Sequence, residues 1–338
     1  MNTKDGILRA LDGEPLRPPA IFTQSATAEQ MQACDSFWPE AHCDPRKMAD
    51  LALQPSRLYG FATARIPFNI NNDAEAFGCT INRGTGIVYP SISSSPYRAA
   101  DGIPDVPDLM SPEEFLATER ISAMAEAARI LSKREDLFTV CGMNGPLACT
   151  NGLLGMENVL MASILDPDLL GRWFDAVVPH LCAYAKEMAE LCDCVLFIEG
   201  ADTDLIPPDS FPDSVGKRMP KLISASKGAF TAVHSCGDTY AVADKLASLG
   251  EDILSPEASK DPRRYRELVG NKVKLAGCVH PVQTLLSGSP EDVVREAERS
   301  AEAGFDIVTP ECGVPPMTSG NNMLALSQYR ERIGKEQR

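Results

Sequence analysis

The sequence predicts an α/β protein built as a closed (β/α)8 TIM barrel, a single domain over residues 1–338 with its active site at the C-terminal face of the strands. Three observations carry this. From Pro18 onward, short β-branched runs alternate with longer amphipathic stretches, the pattern of repeated βα units around a parallel sheet. The runs number about eight, the count that closes such a barrel. The chain's 338 residues exceed the size of a usual single core, yet barrels of this kind reach that length as one domain.

Taken in order, the runs expected as strands are 19–23, 64–68, 138–142, 194–199, 230–234, 252–256, 273–278 and 306–310. Between them lie helical patterns with recognisable ends. Over 44–54, Asp44 can cap, Pro45 sits in the first turn and Pro55 marks the stop. Over 111–134, Ser111 reads as the cap, Pro112 opens the turn and Glu114 completes a capping box. Over 289–303, Ser289, Pro290 and Asp292 open the helix and Gly304 closes it. The Ser- and Pro-rich stretch 89–108 cannot be a regular helix and reads as a long loop or hairpin insertion beside the barrel mouth.

Charge and composition exclude some functions. A formal net charge of −15 repels a nucleic-acid backbone or an anionic membrane surface unless basic residues cluster. The densest basic run, Arg263, Arg264 and Arg266, is interleaved with Asp261 and Glu267 and reads as a solvated helix face. Neither nucleic acid nor membrane is therefore an expected partner. No stretch approaches the roughly 18 apolar residues of a membrane span, and the first residues lack an export signal, so a cytoplasmic location is expected. Eleven cysteines, an odd number scattered through a large chain, are then expected to stay mostly reduced.

In a barrel of this kind the loops after the strands build the active site, so the polar residues at strand C-termini matter. They are Gln24, Asn69, Asn144, Glu199 with Asp202 just beyond, His234 with Cys236, Glu257, His280 and Cys312. The segment AVHSCGD sets an imidazole and a thiol two residues apart where a strand stops, and residues i and i+2 of extended chain project to one side. In PECGVPP, Cys312 sits in a loop stiffened by prolines at the end of the last strand. One His and two Cys make a good zinc set with one tetrahedral position to spare. Spacing alone leaves a second reading open, a buried thiol beside a hydrogen-bonded histidine. Cys192 and Cys194 fall at the start of a strand, the stability end of a barrel, and read as core, as do Cys141, Cys149, Cys182 and Cys278. His42 and His280 are individually ambiguous.

Through PPAIFTQSAT, FWPEAH, ARIPFNINNDAEAFGC, GMNGPLA, AVHSCGD and ECGVPPMTSGNNMLAL, nearly end to end, the sequence resembles the uroporphyrinogen decarboxylase superfamily. Within it, the resemblance is to the cobamide-dependent methyltransferases that pass a methyl group from a corrinoid protein to a thiol. It implies a zinc site of His234, Cys236 and Cys312, with Glu257 in the remaining position and leaving when the thiol arrives. It implies methylcobamide presented by a partner corrinoid protein on the C-terminal face, and coenzyme M as acceptor, with another thiol or a pterin left open. Gln24, Asn69, Asn144, Glu199, Asp202 and His280 are then candidates for lining the mouth. Decarboxylases of the superfamily are expected to carry an R-Q-A-G-R stretch after the first strand. Here that position reads Thr23-Gln24-Ser25-Ala26-Thr27, without an arginine to anchor a carboxylated porphyrinogen. A decarboxylase, and a non-catalytic zinc protein with a closed four-ligand site, are the competing expectations.

Overall fold

The computed structural model describes residues 2–99, 102–203 and 207–336. Nine strands are present among them: β1 (Thr63–Ile66), β2 (Thr80–Asn82), β3 (Ser91–Ser94), β4 (Phe138–Asn144), β5 (Cys194–Glu199), β6 (Phe230–Ser235), β7 (Ile253–Pro256), β8 (Lys274–Val279) and β9 (Ile307–Pro310). Seven form one curled sheet in the order β1-β4-β5-β6-β7-β8-β9, every neighbour parallel, while β2 and β3 make a separate antiparallel hairpin.

The sheet is apolar on both faces, as a parallel sheet covered by helices must be. Phe138, Val140, Cys194, Leu196, Ile198, Ala232, Ile253, Ala276 and Ile307 share the inner face with Ile7 of the N-terminal helix Lys4–Leu11. The alternate residues Cys141, Met143, Val195, Phe197, Val233 and Leu254 face outward into the larger core cluster, which also holds Trp173, Phe174 and Tyr184 of the long helix Pro167–Ala189.

An eighth strand was expected at 19–23. That segment instead makes a parallel bridge from Pro19 to Val308, flanked by Ala20 N–H to Val308 O at 2.9 Å and Val308 N–H to Pro18 O at 3.0 Å. On its other side Ile21 N–H donates to the Thr63 side chain at 2.9 Å, not to a backbone carbonyl. Pro18 and Pro19 have no N–H to give, so a regular ladder cannot form there.

Helix ends follow the sequence with two differences. Asp44 caps Pro45–Ala52, but Pro55 opens a second helix, Gln54–Tyr59, where its missing N–H costs nothing. The expected helix over 111–134 divides into Pro112–Leu116, with the Ser111–Glu114 capping box formed, and Glu119–Leu131. The Ser289–Asp292 box opens Pro290–Glu302 and Gly304 follows it at φ +93°. In the stretch 89–108 a hairpin is present, but it begins earlier, at β2, and Ala100 and Asp101 lie outside the described residues.

Register along the N-terminal edge is held by a repeated device. Asp193, Asp252 and Asp306 each stand just before a strand and bond the second residue of the strand before. Asp193 accepts from Thr139 N–H (2.8 Å), Asp252 from Thr231 N–H (2.7 Å) and Asp306 from Leu275 N–H (3.0 Å). Asp306 also pairs with Arg266 at 2.5 Å and Arg17 at 3.1 Å, its side chain 13% exposed. Removing one partner of so buried a cluster strands the others. Asp306→Ala is therefore expected to lower the unfolding free energy by about 3 kcal/mol, read as a shifted urea midpoint, whereas Asp5→Ala on an exposed helix face leaves it nearly unchanged.

Candidate metal centre

β6 carries His234 on the inner face, since it alternates with Ala232 and lies in register with Ile198 and Ser255. Its Nδ1 is 2.9 Å from the Ser255 carbonyl oxygen, which can only accept. The ring proton is thus on Nδ1, and the Nε2 lone pair is free to bind an ion. Nε2 lies 3.2 Å from Cys236 Sγ, and Cys236 Sγ lies 3.8 Å from Cys312 Sγ, delivered from just past β9. Glu257, the residue after β7, completes the group. One ligand atom from each of His234, Cys236, Glu257 and Cys312 lies within 4.8 Å of every other.

This donor set fits a tetrahedral soft dication. Arms of about 2.3 Å to sulfur put two thiolates about 3.8 Å apart, and 3.8 Å is the separation between the two sulfurs. The loop that makes the arrangement possible turns at Gly237, at φ +79°, whose N–H donates to Glu257 Oε2 at 3.1 Å. A Cβ there would also stand 2.3 Å from Asp202 Cγ.

Electrostatics bear out the crowding of acids. Burial, then the charge of Cys312, pushes Glu257 up to about 7. The two thiols cannot both ionise by themselves. Cys312 is pushed down, chiefly by the hydrogen bond with Cys236, and Cys236 is pushed up by the same contact and by burial. A cation between them would reverse that, holding both as thiolates.

Above Cys312 opens a cavity of about 540 Å³, lined by Gln24, Asn69, Tyr89, Arg98 and Gly313 among others. Tyr89, in the loop of the hairpin, packs at a tilt against Trp38 and donates to Val314 O at 3.1 Å. Gln24 and Asn69 thus share the cavity with a thiol of the cluster. Other expected mouth residues have different surroundings. Asn144 is buried and donates to Ile70 O and Asp73 Oδ1 (2.9 Å). Glu199 is buried and accepts from Leu147 N–H at 3.0 Å. Asp202 packs beside Gly237, and His280 Nδ1 caps the following turn by accepting from Val282 and Gln283 N–H at 3.2 Å each. His42 is buried with Nδ1 3.0 Å from Asn69 Nδ2, and burial lowers its pKa to about 3. Cys192, Cys194, Cys141, Cys149 and Cys278 are buried, Cys182 partly so, and all eleven cysteines are free thiols.

Two features escaped the sequence reading. Asp73, buried against Asn144, is pushed up to about 6 by burial, and Arg65 stands as a buried cation in β1. A lone arginine inside a short apolar strand was the available signal for the second.

A parallel sheet gathering polar and thiol side chains at its strand ends is the framework of an α/β enzyme. This chain belongs to the uroporphyrinogen decarboxylase (URO-D) family, whose family model matches residues 2–333. It is 33% identical over 336 residues to the methylcobamide:CoM methyltransferase MtaA of Methanosarcina barkeri, covering 97% of each chain. It is 31% identical over 334 residues to the methylcobamide:CoM methyltransferase MtbA of Methanosarcina mazei, covering 96% of each. A solved methyltransferase from Methanosarcina mazei superposes with a TM-score of 0.91 at 32% identity over 98% of both chains. Among the described residues no helix is long and apolar enough to cross a membrane.

Glu199 yields a pH test. Burial raises its carboxyl from an ordinary 4.5 to about 8, so between those values the folded chain holds a proton that the unfolded chain has lost. Stability from this group is full below about pH 4.5 and declines as pH rises through about 8. Glu199→Gln should flatten that decline and be more stable than wild type at pH 9, by thermal unfolding. Glu251, also pushed up to about 8, keeps a residual slope in the variant.

Proposed function

We propose that this enzyme is a zinc-dependent methyltransferase that moves a methyl group from a methylated corrinoid protein to a thiol such as coenzyme M. The observation that carries the reading is the convergence of His234, Cys236, Glu257 and Cys312 at the strand ends, in a chain whose relatives are named methylcobamide:CoM methyltransferases. Bound Zn²⁺ would make the acceptor sulfur a thiolate at neutral pH, although a free thiol titrates near 8.5.

The chain's own groups do the rest. His234 is held in the binding tautomer by the Ser255 carbonyl. Cys236 and Cys312 supply two negative charges, which keep a third sulfur electron-rich. Glu257 would hold the position the thiol takes, and its carboxylate, once displaced, can receive the thiol proton. Gln24, Asn69 and Tyr89 wall the cavity through which methylcobamide, carried by its protein, would approach Cys312. On this reading residues 19–23 close the sheet into an eight-stranded barrel, the chain works as one domain, and it acts in the cytoplasm, where thiols stay reduced. A porphyrinogen decarboxylase is disfavoured, because the segment after residue 23 lacks arginine and spends Thr27 on the capping box of the helix Ala28–Cys34.

The purified enzyme is expected to hold about one zinc per chain, by elemental analysis, with Cys236→Ala and Cys312→Ala losing most of it and Glu257→Gln retaining it. Calorimetry of thiol binding below pH 8 in buffers of different ionisation enthalpy then counts protons. Wild type should release less than one per thiol, because Glu257 takes part of it, and Glu257→Gln about one. Tight thiol binding to both proteins with no proton released by either would remove the zinc-thiolate reading.

A further inference from the structure

Among the described residues, Cys43 is the one thiol to which arginines donate. It closes the short turn Glu40–His42 and is half-buried. Arg83 Nη1 donates to its Sγ at 2.7 Å, and Arg120 Nη2 reaches the same sulfur at 3.8 Å. A guanidinium has only donors, so the sulfur is held as an acceptor. The two arginines come from separate elements, Arg83 from just after β2 and Arg120 from the first turn of the helix Glu119–Leu131. Glu75 lies between them, accepting from Arg83 Nη2 at 2.6 Å and from Arg120 Nε at 2.8 Å. Two cations thus share one carboxylate, and the thiol takes the place of a second anion. Of the other acids nearby, Asp44 spends its carboxylate on the N–H groups of Arg46 and Lys47, and Glu119 is exposed, where water screens it.

Arg120 is 7% exposed, and its Nη1 is buried without a partner among the described residues. An unpaired N–H on a buried cation is costly, and an anion arriving beside it removes the cost. Cys43, Glu75, Arg83, Glu119 and Arg120 line a cavity of about 30 Å³. One water needs roughly 10–15 Å³ of such space, so the cavity suits a molecule of two oxygen atoms and excludes a bulky disulfide. The other half-buried thiols outside the metal centre lack this setting. Cys34 donates to Gln30 O at 3.3 Å, and burial pushes both Cys34 and Cys182 up.

We propose that Cys43 is a reversible oxidation site that takes a small hydroperoxide, hydrogen peroxide being the simplest, and holds the product as a sulfenate between Arg83 and Arg120. The thiolate is the nucleophile of such a step, and part-exposed thiols beside cationic side chains are the reactive ones. Sulfur attacks one peroxide oxygen, so an S–O bond forms as the O–O bond breaks. The other oxygen leaves as hydroxide, which a solvent proton converts to water. Sulfur loses two electrons and the peroxide gains them. The sulfenate oxygen is then a new anionic acceptor for the guanidinium N–H groups. A small thiol reverses the change, one molecule displacing the oxygen as water to give a mixed disulfide and a second releasing Cys43. None of this depends on the methyl-transfer reading.

The test treats the full-length protein with a slight excess of hydrogen peroxide at neutral pH in the presence of dimedone, which traps sulfenates, and locates the adduct on each cysteine by peptide mass spectrometry. Cys43 should be labelled roughly tenfold or more faster than Cys34 and Cys182. Arg83→Gln and Arg120→Gln should each slow Cys43 by about tenfold while leaving Cys34 unchanged, and Arg83→Lys, with charge but no fork, should fall between. Arg120 is buried and its loss can impair folding, whereas Arg83 has a side chain 44% exposed, so Arg83→Gln decides alone if Arg120→Gln does not fold. Without dimedone, dithiothreitol should return oxidised Cys43 to the free thiol. The proposal is overturned if Cys43 is labelled no faster than Cys34 and Cys182, or if its rate is indifferent to Arg83→Gln. It is equally overturned if Cys43 passes to a sulfinate that yields no dimedone adduct and that dithiothreitol does not reduce.

Discussion

The register of the parallel sheet is the constraint on which the rest depends. Side chains alternate faces along a strand, so a slip of one residue in β6 would turn His234 out toward the helices and bring Val233 into the interior. Parallel ladders make slips easy to imagine, because their bonds are evenly spaced. Here the risk is met at the far end from the chemistry. Asp193, Asp252 and Asp306 each lock a strand to its predecessor through a backbone N–H, and Arg17 and Lys4 tie the N-terminal segment to the same aspartates. The edge that fixes geometry and the edge that holds reactive groups are opposite ends of the same strands.

At the reactive end the chain concentrates what proteins ordinarily keep apart. Two thiols, a carboxylate and an imidazole meet within 4.8 Å, in a protein of net charge −15. Burial and mutual contact push Glu257 and Cys236 up and Cys312 down.

Much of this was legible in the sequence because it is local. The alternation of β-branched runs gave seven of the strands, and the His-x-Cys spacing at the end of one of them placed two members of the cluster, since i and i+2 on extended chain share a side. Capping boxes at Ser111 and Ser289 were equally readable. What was missed depends on relations between distant segments. Residues 19–23 have strand-like composition, but Pro19 and the preceding Pro18 withhold donors, and the segment's bonding partners lie in β9 and at Thr63. His280 was expected near the mouth, and its Nδ1 is engaged by two backbone N–H groups of the next turn. Arg65 could be seen as a charge in an apolar strand, but which face it took was fixed only by its register against Val140.

The pairing of Asn69 with His42 has a spectroscopic consequence. Asn69 donates from Nδ2 to His42 Nδ1, so that ring carries its proton on Nε2, while His234 carries its proton on Nδ1. The two imidazoles are opposite tautomers, and the chain has only four histidines in all. With its pKa lowered to about 3, His42 stays neutral throughout the working range. In a ¹⁵N-labelled sample its ring resonances form a fixed internal standard, against which the Nε2 shift of His234 reports metal loading directly.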